Sequence, residues 1–264
     1  MAAPTRYPEL NFVLRELLDG ARAVLSSNLV GAYLQGSFAV GGADEHSDVD
    51  FVIVTNSELE PAEECSLQEL HARLYGLDVP WAQHLEGSYI PRERLRHVDP
   101  SRSPFLYLDN GASELVRDPH CNTAVARWSL RECGIVLAGP DPKQLIDPIS
   151  PVELRREALD GIAEYAAWAP LPTEAGGMSR WKQTYLVVTL CRLLHTLDCG
   201  RVASKRTAAE WALEALPGEW TPLIQAAIAD RPDPWIRVHQ PADPMVVART
   251  LAFAEYAVAQ SKSS

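Results

Sequence analysis

The chain has 264 residues, with 24 Lys and Arg against 35 Asp and Glu for a formal net charge of −11, and 47% hydrophobic against 22% charged residues. With 15 Gly and 20 Pro it carries ordinary amounts of both, which excludes a collagen-like repeat or a low-complexity tail, and the length suffices for one large or two modest buried cores. No run reaches the roughly 18 to 20 apolar residues of a membrane span, and the opening MAAPTRYPELNFV has no apolar secretion segment, so a cytosolic protein without a membrane partner is expected.

Residues 8–27 place Leu10, Val13, Leu14, Leu17, Leu18, Ala21 and Leu25 on one helical stripe. Residues 31–35 form a short strand candidate. Residues 49–54 (VDFVIV) are too apolar to be exposed on either face, as in a strand covered on both sides. Residues 61–75 open with Pro61 and two glutamates, as a helix start should, and carry Leu67, Leu70 and Leu74 on a stripe. Another strand is expected around residues 83–90. The stretch 91–120, with four prolines and many charges, reads as loop and short pieces, and a helix is predicted over 123–136.

At Ser150-Pro151-Val152-Glu153 the Ser hydroxyl and Glu carboxylate can form a capping box, with Pro where its missing N–H is harmless. The domain boundary is expected here, giving domains 1–150 and 151–264. Beyond it strand signals stop and helix starts recur at Ser179, at Thr207 with Glu210, at Thr221 with Pro222, and at Asp243 with Pro244. The predicted architecture is α+β: an N-terminal α/β domain with a mixed sheet, then an all-α bundle of about five helices.

The segment from Gly36 to Asp50 (GSFAVGGADEHSDVD) carries the chemistry. A Gly-Ser pair after a strand lets the backbone approach a phosphate closely, so Gly36, Ser37 and Ser47 are candidate nucleotide ligands; Gly41 and Gly42 turn the chain back. Asp48 and Asp50, two residues apart, face the same way on a strand and can hold one hard cation. Magnesium suits the pair, because it keeps several waters and takes one or two carboxylates plus phosphate oxygens. A bare DxD is commonly a solvated strand end; the Gly-Ser pair, ten intervening residues, DxD and a buried strand together are far more specific.

These residues resemble the nucleotidyltransferase superfamily and, within it, the aminoglycoside adenylyltransferases of the streptomycin and spectinomycin type, over nearly the whole chain. The resemblance implies a third carboxylate on a neighbouring strand, where residues 84–90 (HLEGSYI) supply Glu86. It also implies a helical domain whose blocks match residues 185–194 (YLVVTLCRLL), 203–205 (ASK) and 208–216 (AAEWALEAL), with Arg192 and Lys205 at positions that bind ATP phosphates. Arg192 lies in an otherwise apolar helix, where a charge needs an anionic partner, either a ligand or a structural ion pair. Lys205 sits near a helix start, where anions are favoured.

The activity so implied is AMP transfer from ATP to an acceptor hydroxyl with release of pyrophosphate. Glu86 is the implied general base, Asp48 and Asp50 would hold Mg²⁺, and Ser37, Arg192 and Lys205 would offset charge on the leaving group. Relatives acting on streptomycin carry acidic residues before the TLxR helix. Residues 173–182 (TEAGGMSRWK) offer Glu174 but place Met178 and Lys182 where the resemblance implies aspartates, which favours a spectinomycin-like acceptor over streptomycin and leaves another aminocyclitol or an unrelated small hydroxyl compound open.

The acidic balance argues against nucleic acid, since counterion release needs clustered Lys and Arg, and suits a small cationic acceptor. Glu153, Glu157, Asp160 and Glu164, at helical spacing, could receive such a cation or form a solvated face. Five cysteines without CxxC or paired spacing argue against a disulfide framework or zinc site. A monomer or weak dimer is expected. Kinase and hydrolase readings fall: His97-Val98-Asp99 begins an HxDxxxxN but position 104 is Pro, and GK[ST], HExxH and GxSxG are absent. A nucleotidyltransferase acting on a protein or tRNA end, or a non-catalytic nucleotide-binding module, are the alternatives. His46, His120 and Asn122 receive no role beyond turns or caps.

Overall fold

The computed structural model describes residues 3–173, 177–230 and 234–262. The chain divides into two compact units, Met1–Ile149 and Ser150–Ser264.

In the first unit, α1 (Pro8–Leu25) runs into β1 (Leu29–Leu34), a one-turn α2 (Gly36–Val40) and β2 (Val49–Thr55). Then come α3 (Pro61–Tyr75), β3 (Leu85–Pro91), a one-turn α4 (Arg92–Leu95), β4 (Phe105–Leu108), β5 (Leu115–Asp118), α5 (Ala124–Cys133) and β6 (Ile135–Ala138). The six strands form one mixed sheet in the order β5-β4-β3-β2-β1-β6. Its parallel pair is β2 with β3; the neighbours on either side run antiparallel.

Both faces of the sheet are covered, which is why β2 is almost wholly apolar. Val49, Phe51 and Ile53 join the inward stripe of α1 and Leu67, Leu70 and Leu74 of α3 in one core. Val52 and Val54 point the opposite way, into a second core with Tyr33, Ile90, Phe105 and Leu130. Burying each such side chain is worth roughly 1.5–3 kcal/mol. A one-residue slip would exchange the two faces and drive Asp50 into the core under α1 and α3. The direction in which Asp50 points is thus fixed by the five apolar residues around it.

The expectations are sharpened or corrected at two places in this unit. The stretch 91–120, expected as loop and short pieces, contains α4, β4 and β5. Its prolines obscured Phe105–Leu108, which is buried at every position, while β5 is a sheet edge with Val116 and Arg117 exposed. The helix expected to reach 136 ends at Cys133, because Gly134 adopts an extended conformation. The chain then forms β6 against β1.

The second unit is helical, with its own core: α6 (Pro151–Trp168), α7 (Arg180–Cys199), α8 (Lys205–Ala215), α9 (Thr221–Ala229), a one-turn α10 (Pro234–Arg237) and α11 (Pro244–Ser261). The Ser150–Glu153 box is formed: the Glu153 amide donates to Ser150 Oγ at 3.2 Å and the Ser150 amide to Glu153 Oε2 at 2.8 Å. Ser179 and Asp243 cap α7 and α11. The α8 cap is Ser204, not Thr207, and α9 begins at Thr221 without a side-chain cap, after a 3₁₀ turn over Gly218–Trp220. Among the described residues no helix is long and apolar enough to cross a membrane.

One buried histidine gives the first unit a pH signature. His71 on α3 is 1% exposed, with Nε2 2.8 Å from the Tyr89 hydroxyl and its ring stacked on Phe51. Burial pushes its pKa down to about 4 from 6.5. The folded value lies below the unfolded one, so the unfolded chain binds the extra proton between pH 6.5 and 4, and stability falls as pH drops through that window. Denaturant melts at pH 7 and 4.5 should show the parent losing about 2 kcal/mol more than His71→Gln over that interval.

Candidate active site

The site grows from the end of β1. The Gln35 amide donates to the Asp50 carbonyl at 2.9 Å, carrying the β1–β2 pairing one residue past the strand. Gly36 then turns left-handed at φ +58, and a Cβ there would lie 1.9 Å from Asp50 Oδ2. Only glycine lets the backbone pass the carboxylate this closely. Ser37 follows in α2, and its Oγ is buried without a hydrogen-bond partner, an unusual state for a hydroxyl that lacks a ligand.

Past α2 the chain doubles back through Gly41 and Gly42, each at φ +90. A tight turn then delivers it to β2. Asp44 Oδ1 accepts from the His46 amide at 3.1 Å and from Ser47 Oγ at 3.1 Å. The Asp44 amide in turn donates to Ser47 Oγ at 3.0 Å. Ser47, expected as a nucleotide ligand, is buried and builds this turn. It is positioned here as a structural element of the loop.

Asp48 lies just before β2 and Asp50 within it. Burial alternates from Ser47 to Phe51, with the two aspartates half-buried between buried neighbours, so both carboxylates face the side of Val52 and Val54. Asp50 pairs in register with Glu86 on β3, which puts Glu86 on the same face. The sequence reading of three acidic residues on one face therefore matches the strand geometry. They do not form a three-ligand cage: among the described residues no group of three or more His, Cys, Asp or Glu is arranged to hold a metal.

Glu86 has partners of its own. Its side chain is 13% exposed, and Oε1 accepts from the Tyr107 hydroxyl at 3.0 Å and lies 3.2 Å from His120 Nε2. The same hydroxyl lies 3.0 Å from Asp109 Oδ1, and the rings of Tyr107 and His120 stack.

The bond to Glu86 raises the His120 pKa against the opposing effect of burial, with Asp118 and Asp109 adding to the rise. Burial, then Glu86 and Asp109, hold the Tyr107 hydroxyl protonated well beyond its ordinary range. Cys121 is pushed up to about 12, mainly by burial, with Glu86, Asp50 and Asp118 adding. Burial lowers the His84 pKa, against Asn110 and Asp48. The face is strongly negative and calls for a cation.

Tyr107 and Asp109 carry no role in the sequence reading, and His120 none beyond a turn or cap. Tyr107 hid in the stretch read as loop, and its alternation with Asp109 beside a buried strand was the signal available.

In the second unit, Arg192 is half-buried on α7, and Lys205 is the first residue of α8 after its Ser204 cap. The Lys205 ammonium sits 4.8 Å from the Tyr185 ring centroid, and the Tyr165 and Tyr185 hydroxyls are 3.1 Å apart. Burial raises the Tyr165 pKa, while Arg192 and Lys205 both oppose the rise, so the two cations flank one tyrosine pair. Arg192 forms no salt bridge among the described residues.

Lys182 is fully buried and donates to the carbonyls of Trp168, the last residue of α6, at 2.8 Å and of Leu171 at 2.6 Å. Met178 is also buried, and Glu174 lies outside the described residues. Of the acidic stripe on α6, Glu153 is committed to the Ser150 cap.

Residues 14–93 match the model of the nucleotidyltransferase domain, and residues 144–262 that of the C-terminal domain of aminoglycoside adenylyltransferases. A spectinomycin 9-adenylyltransferase from Staphylococcus aureus is 29% identical over 223 residues, covering 80% of this chain and 81% of its own. An aminoglycoside (3'') (9) adenylyltransferase from Escherichia coli is 25% identical over 238 residues, covering 83% and 84%. The fold is that of a spectinomycin adenyltransferase from Enterococcus faecialis solved with ATP and spectinomycin, at a TM-score of 0.70 and 17% identity over 94% of this chain and 98% of that one.

The close passage of Gly36 gives a direct check. Gly36→Ala combines a left-handed φ with a methyl driven into Asp50, and should destabilise the protein by about 1–3 kcal/mol, read from denaturant melts beside the parent.

Proposed function

Since the chain belongs to the aminoglycoside adenylyltransferase (AadA-like) family of the nucleotidyltransferase superfamily, we propose that it transfers AMP from ATP to a hydroxyl of a small aminocyclitol antibiotic, spectinomycin-like rather than streptomycin, releasing pyrophosphate. The observation that carries the reading is the pairing of Asp50 with Glu86 on one sheet face, with Asp48 two residues before Asp50 and Gly36-Ser37 folded against it.

Asp48 and Asp50 provide two hard oxygen ligands from one strand face without a third side chain to close the shell. That set fits an ion which takes one or two carboxylates and fills its remaining sites with water and phosphate oxygens. When bound there, Mg²⁺ would polarise the α-phosphate and offset charge on the departing pyrophosphate. The unpartnered Ser37 hydroxyl donates to a phosphate oxygen, and Gly36 lets that phosphate come close. Glu86 accepts the proton of the acceptor hydroxyl.

Two features support a spectinomycin-like acceptor. The relatives above include a spectinomycin 9-adenylyltransferase, and Lys182, where the family resemblance implies an aspartate, is buried on backbone carbonyls. The negative first-unit face suits an ammonium-bearing acceptor. In a bacterium the outcome of this reaction would be antibiotic resistance.

Pyrophosphate release with ATP across an aminoglycoside and aminocyclitol panel tests the proposal. Release that depends on spectinomycin supports it. Labelling of protein instead, or ATP binding without release, would replace it with the other readings. Asp50→Asn should abolish transfer with the thermal melt retained, and Glu86→Gln should slow it by about 10²–10⁴-fold; unimpaired turnover in either would refute the residue roles.

A further inference from the structure

The Glu86 carboxylate is held asymmetrically. Oε1 takes both the Tyr107 hydroxyl at 3.0 Å and His120 Nε2 at 3.2 Å, whereas Oε2 has no hydrogen bond or ion pair among the described residues. The two groups arrive from different directions. Tyr107 stands on β4, whose antiparallel register with β3 pairs it with Ser88 and so puts it on the Glu86 face, 4% exposed. His120 comes from the turn after β5, where its amide donates to Asp118 Oδ1 at 2.7 Å, and its ring stacks on Tyr107 at 5.3 Å between centroids. Asp109, exposed at the end of β4, is a second acceptor for the Tyr107 hydroxyl at 3.0 Å.

Resting on the reading of Glu86 as the base, we propose that Tyr107 and His120 are positioning residues that clamp Oε1 of Glu86 and leave Oε2 as the oxygen that takes the acceptor proton.

The physical need is plain. A glutamate has three rotatable bonds, and a base must be within about 2.6–3.2 Å of the proton it removes. Two donors on one oxygen fix the rotamer and the carboxylate plane, and hydrogen bonds to an ionised acceptor are the stronger kind. Having a single proton, the Tyr107 hydroxyl can serve Glu86 or Asp109 at any instant but not both. His120 is the second donor that keeps Oε1 held when the hydroxyl turns to Asp109. The raised His120 pKa, caused first by its bond to Glu86, agrees with this pairing. The groups facing the clamp are Asp50, Asp109, Asp118 and Cys121; none is a cation that could replace His120.

The test uses the whole enzyme with ATP and spectinomycin, or the acceptor that the panel identifies, and compares Tyr107→Phe, His120→Ala and His120→Gln with Glu86→Gln. Phe keeps the shape of Tyr107. His120 has a side chain 55% exposed, so its replacement leaves the fold intact, as thermal melts would verify. Tyr107→Phe and His120→Ala should each lower kcat by about 10- to 100-fold with KM for ATP within about twofold. Because a glutamine amide can reach where Nε2 stood, His120→Gln should recover most of the loss. Turnover within twofold of the parent in both Tyr107→Phe and His120→Ala, with Glu86→Gln inactive, would overturn the clamp and leave Glu86 as base. A loss confined to KM for ATP, or no recovery in His120→Gln, would overturn it as well. Full activity in Glu86→Gln would remove the base assignment itself, and the clamp with it.

Discussion

The candidate site depends on the register of one strand pair. β2 and β3 run parallel with Asp50 opposite Glu86, and nothing about the two carboxylates themselves favours this neighbourhood, since like charges side by side on a sheet repel. The pairing is imposed by the apolar residues around them. Val49, Phe51 and Ile53 must enter one core and Val52 and Val54 the other. The hydrophobic gain of that arrangement outweighs a repulsion between partly solvated charges, which is of order 1 kcal/mol each way. The core thus forces carboxylates together that would separate if free to do so, and a cation or a donor network must answer the charge. Both kinds of answer are visible: a two-carboxylate pair suited to a metal at Asp48 and Asp50, and a Tyr–His pair of donors at Glu86.

Much of this was legible in the sequence because it is written in local patterns. The apolar run of β2, interrupted only by Asp50, announces a strand buried on both faces, and a two-residue spacing puts Asp48 and Asp50 together. Gly36 is readable as a point of close approach, although what it approaches, Asp50 Oδ2, is a tertiary fact. The helix starting at Pro61 and the Ser150 box were marked by proline and a paired glutamate at fixed offsets. At the start of α8 the Thr207–Glu210 offset pattern pointed to the wrong residue. Ser204 makes the bond to the Thr207 amide, so Thr207 is the receiving residue rather than the cap.

What remained hidden depends on pairing between distant segments. β4, β5 and β6 are four residues each, too short to show alternation against a background of prolines and charges. They become strands by pairing: β4 extends β3, β5 extends β4 and β6 extends β1. Tyr107 and His120 could not be tied to Glu86 before that topology was known, since 21 residues separate Glu86 from Tyr107 and the intervening chain reads as loop. A tyrosine in a four-residue strand carries no sign of its partner, and a histidine after a proline looks like a turn residue.

Lys182 shows the reverse hazard, a charge that looks functional and is built into the fold. Its side chain is fully buried, with the ammonium over the Trp168 ring at 4.2 Å and against the carbonyls of Trp168, the last residue of α6, and of Leu171 in the turn that follows. The C-terminal end of a helix presents partial negative charge, so a cation here replaces water as the partner of those oxygens. Desolvation lowers the Lys182 pKa, yet the contacts favour the charged form. A carboxylate in the same place would meet two carbonyl oxygens and a helix end of its own sign. The backbone that accommodates Lys182 is therefore not one onto which an aspartate can be grafted. To stand at this position, an acid would need α6 to end differently, so the side chain here is tied to how the helix is terminated.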